Sequence, residues 1–209
     1  MSTTSHLIER YNASERTNHW SVAITFILAT LGGLALFHPA LFWLTDLFGG
    51  GPWTRILHPY IGVVMFVFFV PLALRFRKHN HITAADRQWM GQLGDVLNKR
   101  EGKLPEVGRY NAGQKYLFKL MVICTLLLLL TGIAIWQPLF APYFSITLIR
   151  WAVVIHAVSA FLITLGIIVH IYAAIWVKGS VQAMTRGTVT RAWARKHHPA
   201  WYREVSKGN

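Results

Sequence analysis

Residues 151–177 read Trp-Ala-Val-Val-Ile-His-Ala-Val-Ser-Ala-Phe-Leu-Ile-Thr-Leu-Gly-Ile-Ile-Val-His-Ile-Tyr-Ala-Ala-Ile-Trp-Val, without a single Lys, Arg, Asp or Glu. About 20 apolar residues in a helix cross the hydrocarbon core of a bilayer. In lipid, each backbone polar group must be paired inside its own helix. The stretch therefore reads as a transmembrane helix, and it carries two histidines, His156 and His170. At 100° and 1.5 Å per residue, they project within about 40° of each other and sit about 21 Å apart along the axis. One helical face thus offers two imidazoles at two depths.

Three further segments have the same character. Trp20 to Phe37 is uncharged, Ile56 to Leu74 is interrupted only by His58, and Tyr116 to Trp136 has one charge, Lys119, in its first turn. Spans are expected at about 18–37, 55–75, 114–136 and 150–177. This gives an all-α integral membrane fold, a four-transmembrane-helix bundle forming one membrane domain over residues 1–209. A loop occupies about 76–113 and a tail about 178–209. Charged residues make up 14% of the chain, against about 25% for a soluble domain.

The net charge is +13, and its placement decides its meaning. All but Arg55 and Arg150 of the 21 Lys and Arg residues lie in the N-terminal tail, the loop from Arg75 to Lys119, or the tail from Lys178. The positive-inside rule places these three regions, and both termini, in the cytoplasm. The surplus suits anionic lipid headgroups rather than nucleic acid. The polar stretch before the first apolar run marks a retained helix, not a cleaved signal peptide. Residues Ala84 to Asn98 place Trp89, Leu93, Val96 and Leu97 on one helical face, a short surface helix. The lone Cys124 excludes thiolate clusters and internal disulfides, and no phosphate-binding glycine loop is present.

An imidazole in lipid is costly unless it has a task or a partner. His58, at the outer start of the second span, matches the depth of His156. His19, at the cytoplasmic start of the first, matches His170. Two imidazoles facing one another across a bundle core make a six-coordinate haem iron. Two such pairs give two stacked haems and an electron path across the membrane. Gly62 and Gly166 each lie four residues from a histidine on its face, where a flat porphyrin needs small side chains. Small residues equally serve close helix packing. A proton-relaying transporter or metal transporter would be expected to place Asp or Glu in its spans, and none is present here. His38 before Pro39 ends the first span. His6, His79, His81, His197 and His198 read as terminus, loop and tail residues remote from any ligating role.

Several motifs lie outside what bundle packing demands. They are Arg16-Thr-Asn-His-Trp20, Arg55-Ile-Leu-His-Pro59, Gly108-Arg-Tyr-Asn-Ala-Gly-Gln-Lys115, Phe140-Ala-Pro-Tyr-Phe-Ser145, His170-Ile-Tyr-Ala-Ala-Ile-Trp-Val-Lys-Gly179 and His197-His-Pro-Ala-Trp-Tyr-Arg-Glu204. Through them, nearly the whole chain resembles the gamma subunit of respiratory formate dehydrogenase, a membrane cytochrome b of the bacterial inner membrane. The resemblance implies a molybdenum- or tungsten-containing alpha subunit that oxidises formate and an iron–sulfur beta subunit that delivers electrons. It implies two haems b, with His58/His156 as outer ligands and His19/His170 as inner ligands. It also implies a menaquinone or ubiquinone site at Asn111, Gly113 and His170. Taken without the resemblance, Asn111-Ala-Gly113 is an ordinary turn into a helix. The cytochrome b of another quinone-linked enzyme, such as a nickel–iron hydrogenase, shares this plan. A haem-free transporter or membrane anchor is the alternative of a different class.

Overall fold

The structure is a computed structural model that describes residues 6–92, 94, 95, 98 and 105–207. In chain order it contains β1 (Leu7–Glu9), α1 (Ala13–Phe37), a 3-10 helix (Pro39–Phe48), α2 (Gly51–Arg77), α3 (Ala84–Gly91), α4 (Ala112–Ile135) and a 3-10 turn (Ala141–Tyr143). It continues with α5 (Ile146–Trp176), α6 (Ser180–Arg186), β2 (Thr188–Thr190), α7 (Arg191–His197) and α8 (Pro199–Lys207). Helices α1, α2, α4 and α5 are long and apolar enough to cross a membrane. In each, only 11–22% of the most apolar stretch is buried within the protein. Phe161, Leu130 and Val67 are among the large apolar side chains left uncovered. Surfaces of this size and polarity call for lipid.

The four spans are those expected, but they begin earlier. Asn12 and Glu15 form a capping box, each side chain accepting from the other's backbone N–H at 2.9 Å. This starts α1 at Ala13 rather than near residue 18. An Asn two residues before a Ser-Glu pair is a visible helix-start signal, masked here by the apolar run that follows. Helix α1 stops at Phe37, and the Nδ1 atom of His38 accepts from Ala40 N–H at 3.2 Å to cap the next helix. The expected surface helix is present as α3, ended after about two turns at Gly91, with Trp89 buried. Leu93, Val96 and Leu97 lie outside the described residues.

The chain divides into two compact units. The membrane unit holds residues 17–74 and 121–168. Its packed centre is Val22, Met65 and Phe69, with Phe26, Leu72, Met121 and Val122 against them, so α1, α2 and α4 meet there. Pro71 removes a backbone donor from α2. In the preceding turn, Asn18 Nδ2 donates to the Phe68 carbonyl at 2.8 Å. A polar side chain from a neighbouring helix is how a membrane helix tolerates proline.

The second, polar unit holds residues up to 16, residues 75–120 and residues from 169 onwards. It contains a feature that the all-α expectation missed, a two-stranded antiparallel sheet pairing Leu7 with Thr190 and Ile8 with Val189. Three-residue strands are too short to leave a periodic signal. Gly187 makes the turn into β2 with φ 86°, and its carbonyl accepts from the N–H groups of Arg10 and Tyr11. A Cβ there would meet the Tyr11 carbonyl at 2.6 Å, so only glycine fits.

At the centre of the polar unit lies Arg10, 4% exposed. Its guanidinium donates to the Arg109 carbonyl at 2.6 Å, while Arg109 donates back to the Arg10 carbonyl at 2.7 Å. Trp201, Trp193, Tyr11 and Tyr110 surround the charge with ring faces, Trp201 nearest at 4.5 Å. His198 completes the cluster. Its Nδ1–H donates to the Gly108 carbonyl at 2.8 Å, leaving Nε2 to accept from Arg10 at 3.3 Å. His198 is thus no free tail residue, as the sequence suggested, but a buried structural one. Burial, with the charge of Arg10, lowers its pKa to about 3.

Candidate haem site

His58 comes from α2 and His156 from α5, both within the membrane unit. Their ring centroids lie 6.3 Å apart with 69° between the ring planes. Two trans imidazoles on one metal need centroids roughly 6 Å apart, the sum of two metal–nitrogen bonds of about 2 Å and two ring radii. The depth match between these two histidines is therefore realised as a pair at ligating distance.

Each ring is turned by a hydrogen bond at Nδ1. That of His58 faces the Ala29 carbonyl of α1 at 3.1 Å. A carbonyl only accepts, so Nδ1 carries the proton and Nε2 the lone pair. That of His156 faces Thr131 Oγ1 of α4 at 2.9 Å. The Thr131 hydroxyl proton is committed to the Leu127 carbonyl at 2.5 Å, so its oxygen accepts from His156 Nδ1–H. Both rings thus carry a proton on Nδ1, which leaves Nε2 as the nitrogen with no part in these two bonds. A partner on the second nitrogen is the usual companion of a metal-bound histidine.

Glycines on neighbouring helices make room for the rings. A Cβ at Gly33 would lie 3.2 Å from His58 Cε1, one at Gly32 3.4 Å from His58 Nδ1, and one at Gly132 3.4 Å from His156 Cε1. Gly62, one turn after His58, faces open space with nothing within 4 Å of its Cβ position. Sequence reasoning chose the glycines on the histidines' own helices. The structure seats the rings against Gly32, Gly33 and Gly132 of α1 and α4 instead. Two signals pointed that way, the Gly-Gly pair at 32–33 and the Thr-Gly step that breaks the leucine run before residue 131. Gly166 is buried in α5.

Among the described residues, no group of three or more His, Cys, Asp or Glu side chains could chelate an ion. A donor set of only two imidazoles suits a metal that arrives with ligands of its own, which is what a porphyrin supplies. A family model described as prokaryotic cytochrome b561 matches residues 10–187. The chain belongs to this family. Haem b and electron transport come with membership, and with its four apolar helices the cytochrome is a multi-pass membrane protein.

Among its relatives is the formate dehydrogenase cytochrome b556(fdo) subunit of Escherichia coli K12, 47% identical over 96% of this chain and 94% of the relative. The nitrate-inducible formate dehydrogenase cytochrome b556(Fdn) subunit of the same strain is 42% identical over 97% of this chain and 94% of the relative. The formate dehydrogenase cytochrome b556 subunit of Haemophilus influenzae is 42% identical over 94% of this chain and 83% of the relative.

The other residues that the sequence singled out fall as follows. His19 lies on α1 in the membrane unit, and His170 on α5 in the polar unit; both are half-buried. Asn111 is the N-cap of α4. Its Oδ1 accepts from Gln114 N–H at 2.9 Å, while its own N–H donates to Gln114 Oε1 at 3.0 Å. The ordinary-turn reading is thus correct for the Asn111 oxygen. A Cβ on Gly113 would lie 3.4 Å from that oxygen and 3.7 Å from the Trp89 ring.

Proposed function

We propose that this chain is the membrane subunit of a formate dehydrogenase, passing electrons from an iron–sulfur subunit to membrane quinone with two haems b as carriers. The observation that carries this reading is the His58/His156 pair, with both Nδ1 atoms engaged and the rings at ligating distance. The relatives, which are formate dehydrogenase subunits, support formate as the ultimate donor; its oxidation is proposed to occur on molybdenum or tungsten in an alpha subunit, as the sequence motifs imply.

Bound between the imidazoles, haem b supplies a one-electron iron couple. The chain's own residues do the rest. His58 and His156 are the residues that would hold the group. The Ala29 carbonyl and Thr131 oxygen set ring orientation and raise ligand basicity. The apolar walls exclude water.

His19 and His170 are proposed as the second ligand pair on their matched depth in sequence and on the motifs at 16–20 and 170–179. Asn111, Gly113 and His170 are proposed for the quinone site. Since the Asn111 oxygen caps α4, its amide NH2 is the end that can donate to a quinone carbonyl. Gly113 keeps the space beside that amide clear. The basic polar unit faces the cytoplasm of an inner-membrane protein. Electrons moving inward and protons taken up inside then generate membrane potential without a proton channel, consistent with spans whose apolar stretches lack Asp and Glu.

The test is a dithionite-reduced minus oxidised spectrum of the detergent-purified full chain with pyridine haemochrome quantification. About two haems b per chain are expected, falling to about one for His156→Ala. A folded chain without haem refutes the reading. Asn111→Ser retains a capping box with Gln114 but removes the amide, so quinone reduction should fall while both haem bands persist.

A further inference from the structure

The polar unit contains a cavity of about 230 Å³ whose lining includes Asp86, Trp89, Glu106, Tyr110, Asn111 and Lys115. A space of this size holds several waters. Lys115 lies one helical turn after Asn111 on the same face of α4. Its ammonium donates to Asp86 Oδ2 at 2.8 Å, and both side chains are nearly buried. Asp86 is fixed in turn by the backbone N–H and hydroxyl of Thr83, at 2.7 and 2.8 Å, in a capping box on α3. A buried ion pair is a poor source of stability, and its position beside the proposed quinone donor calls for another account.

Quinone reduction by two electrons forms two O–H bonds, and the protons must come from somewhere. We propose that this cavity is the proton entry of the quinone site and that Lys115, held in place by Asp86, is its proton-donating group. The proposal rests on the quinone reading of Asn111.

An N–H bond of the Lys115 ammonium breaks, and the proton passes through cavity water to a carbonyl oxygen held by the Asn111 amide. The electrons are those the cytochrome delivers. The resulting amine takes a proton from cytoplasmic water, which restores the ion pair, and a second cycle completes the quinol.

Among the described residues, the other titratable groups around the cavity do not fill this role. Burial alone would raise the Asp86 carboxyl, but hydrogen bonds from Lys115 and Thr83 outweigh it and hold it below the usual range, ionised. Glu106 is held ionised chiefly by its hydrogen bond from Arg203 of α8. Burial, followed by the neighbouring Tyr11, pushes Tyr110 well above its ordinary value, so it keeps its proton. Arg87 on α3, with Arg109 and Arg203, carries a guanidinium that does not deprotonate in proteins.

Lys115→Arg separates proton donation from charge, because arginine keeps the positive charge beside Asp86 but cannot release a proton. The haem-loaded full chain is reduced with dithionite and mixed with menadione, and haem reoxidation is followed between pH 6 and 9. The wild-type rate should vary little over this range. In Lys115→Arg and Lys115→Met it should be at least tenfold lower at pH 8 and fall by about tenfold per pH unit, as expected when solvent is the direct donor. Menadione binding and the haem spectra should not change. Wild-type rate and pH profile in Lys115→Arg overturn the proposal. If Asn111→Ser loses reoxidation in that case, the quinone assignment stands and only the proton route falls. If Asn111→Ser is also unaffected, both fall together.

Discussion

Replacing Thr131 with Val keeps the shape of a buried side chain while deleting one oxygen. That oxygen accepts from His156 Nδ1–H and donates to the Leu127 carbonyl. The carbonyl keeps its helical N–H, so α4 loses little. The imidazole loses the hydroxyl oxygen that accepts from its Nδ1–H. An unsatisfied buried donor costs about 1–3 kcal/mol. At about 1.4 kcal/mol per tenfold, this corresponds to a roughly five- to 150-fold loss of haem affinity at His58/His156. Removal of an outer partner from a metal-bound histidine weakens binding by about 10- to 100-fold, so two independent routes agree. Haem transfer to apomyoglobin measures the change, with His156→Ala as the floor and Thr131→Ser as the control that keeps the hydroxyl. The midpoint potential of the affected haem should rise as the ligand becomes less basic. Thr131→Val retaining haem as tightly as wild type, at an unchanged potential, would refute the orienting role.

Gly33→Ala brings a methyl 3.2 Å from His58 Cε1, so it should lower haem loading while circular dichroism keeps its helical signal. Gly187→Ala forces φ 86° on alanine and drives Cβ into the Tyr11 carbonyl. It should cost about 1–3 kcal/mol, read as early proteolysis of the C-terminal tail. For His198 the folded pKa of about 3 lies below the ordinary 6.5. The neutral form is the folded one, so its contribution is complete above about pH 6.5, declines as pH falls towards 3, and is spent below that. By linkage this amounts to at most about 5 kcal/mol. Acid unfolding should lose that pH dependence in His198→Gln.

The spans were legible because apolar runs of this length have one physical use. The histidine depths were legible because helical rise and twist are fixed numbers. The structure adds how His58 and His156 are held: a carbonyl of α1, a hydroxyl of α4 and three glycines on those helices. None shares a helix with the ring it serves, and sequence spacing measures distance only along one helix. The polar unit was the least legible part. His198 and Arg10 are charged or titratable residues in terminal segments, where composition predicts solvent. Aromatic rings and paired carbonyls from distant segments take the place of water there, and no local pattern announces that exchange. Asn111 was legible as a cap, while its role towards quinone depends on which end of one amide is already used.

The Arg10 cluster also sets an order of events during synthesis. Arg10 leaves the ribosome before its partners: Arg109, whose carbonyl it meets, comes 99 residues later, and its acceptor His198 comes 188 residues later. The N-terminal arm cannot be sheathed until all four spans have been made and the tail has emerged. Until then it presents a bare guanidinium and unpaired strand edges. A chain cut short before Trp201 lacks the ring nearest to Arg10 and cannot close this clasp.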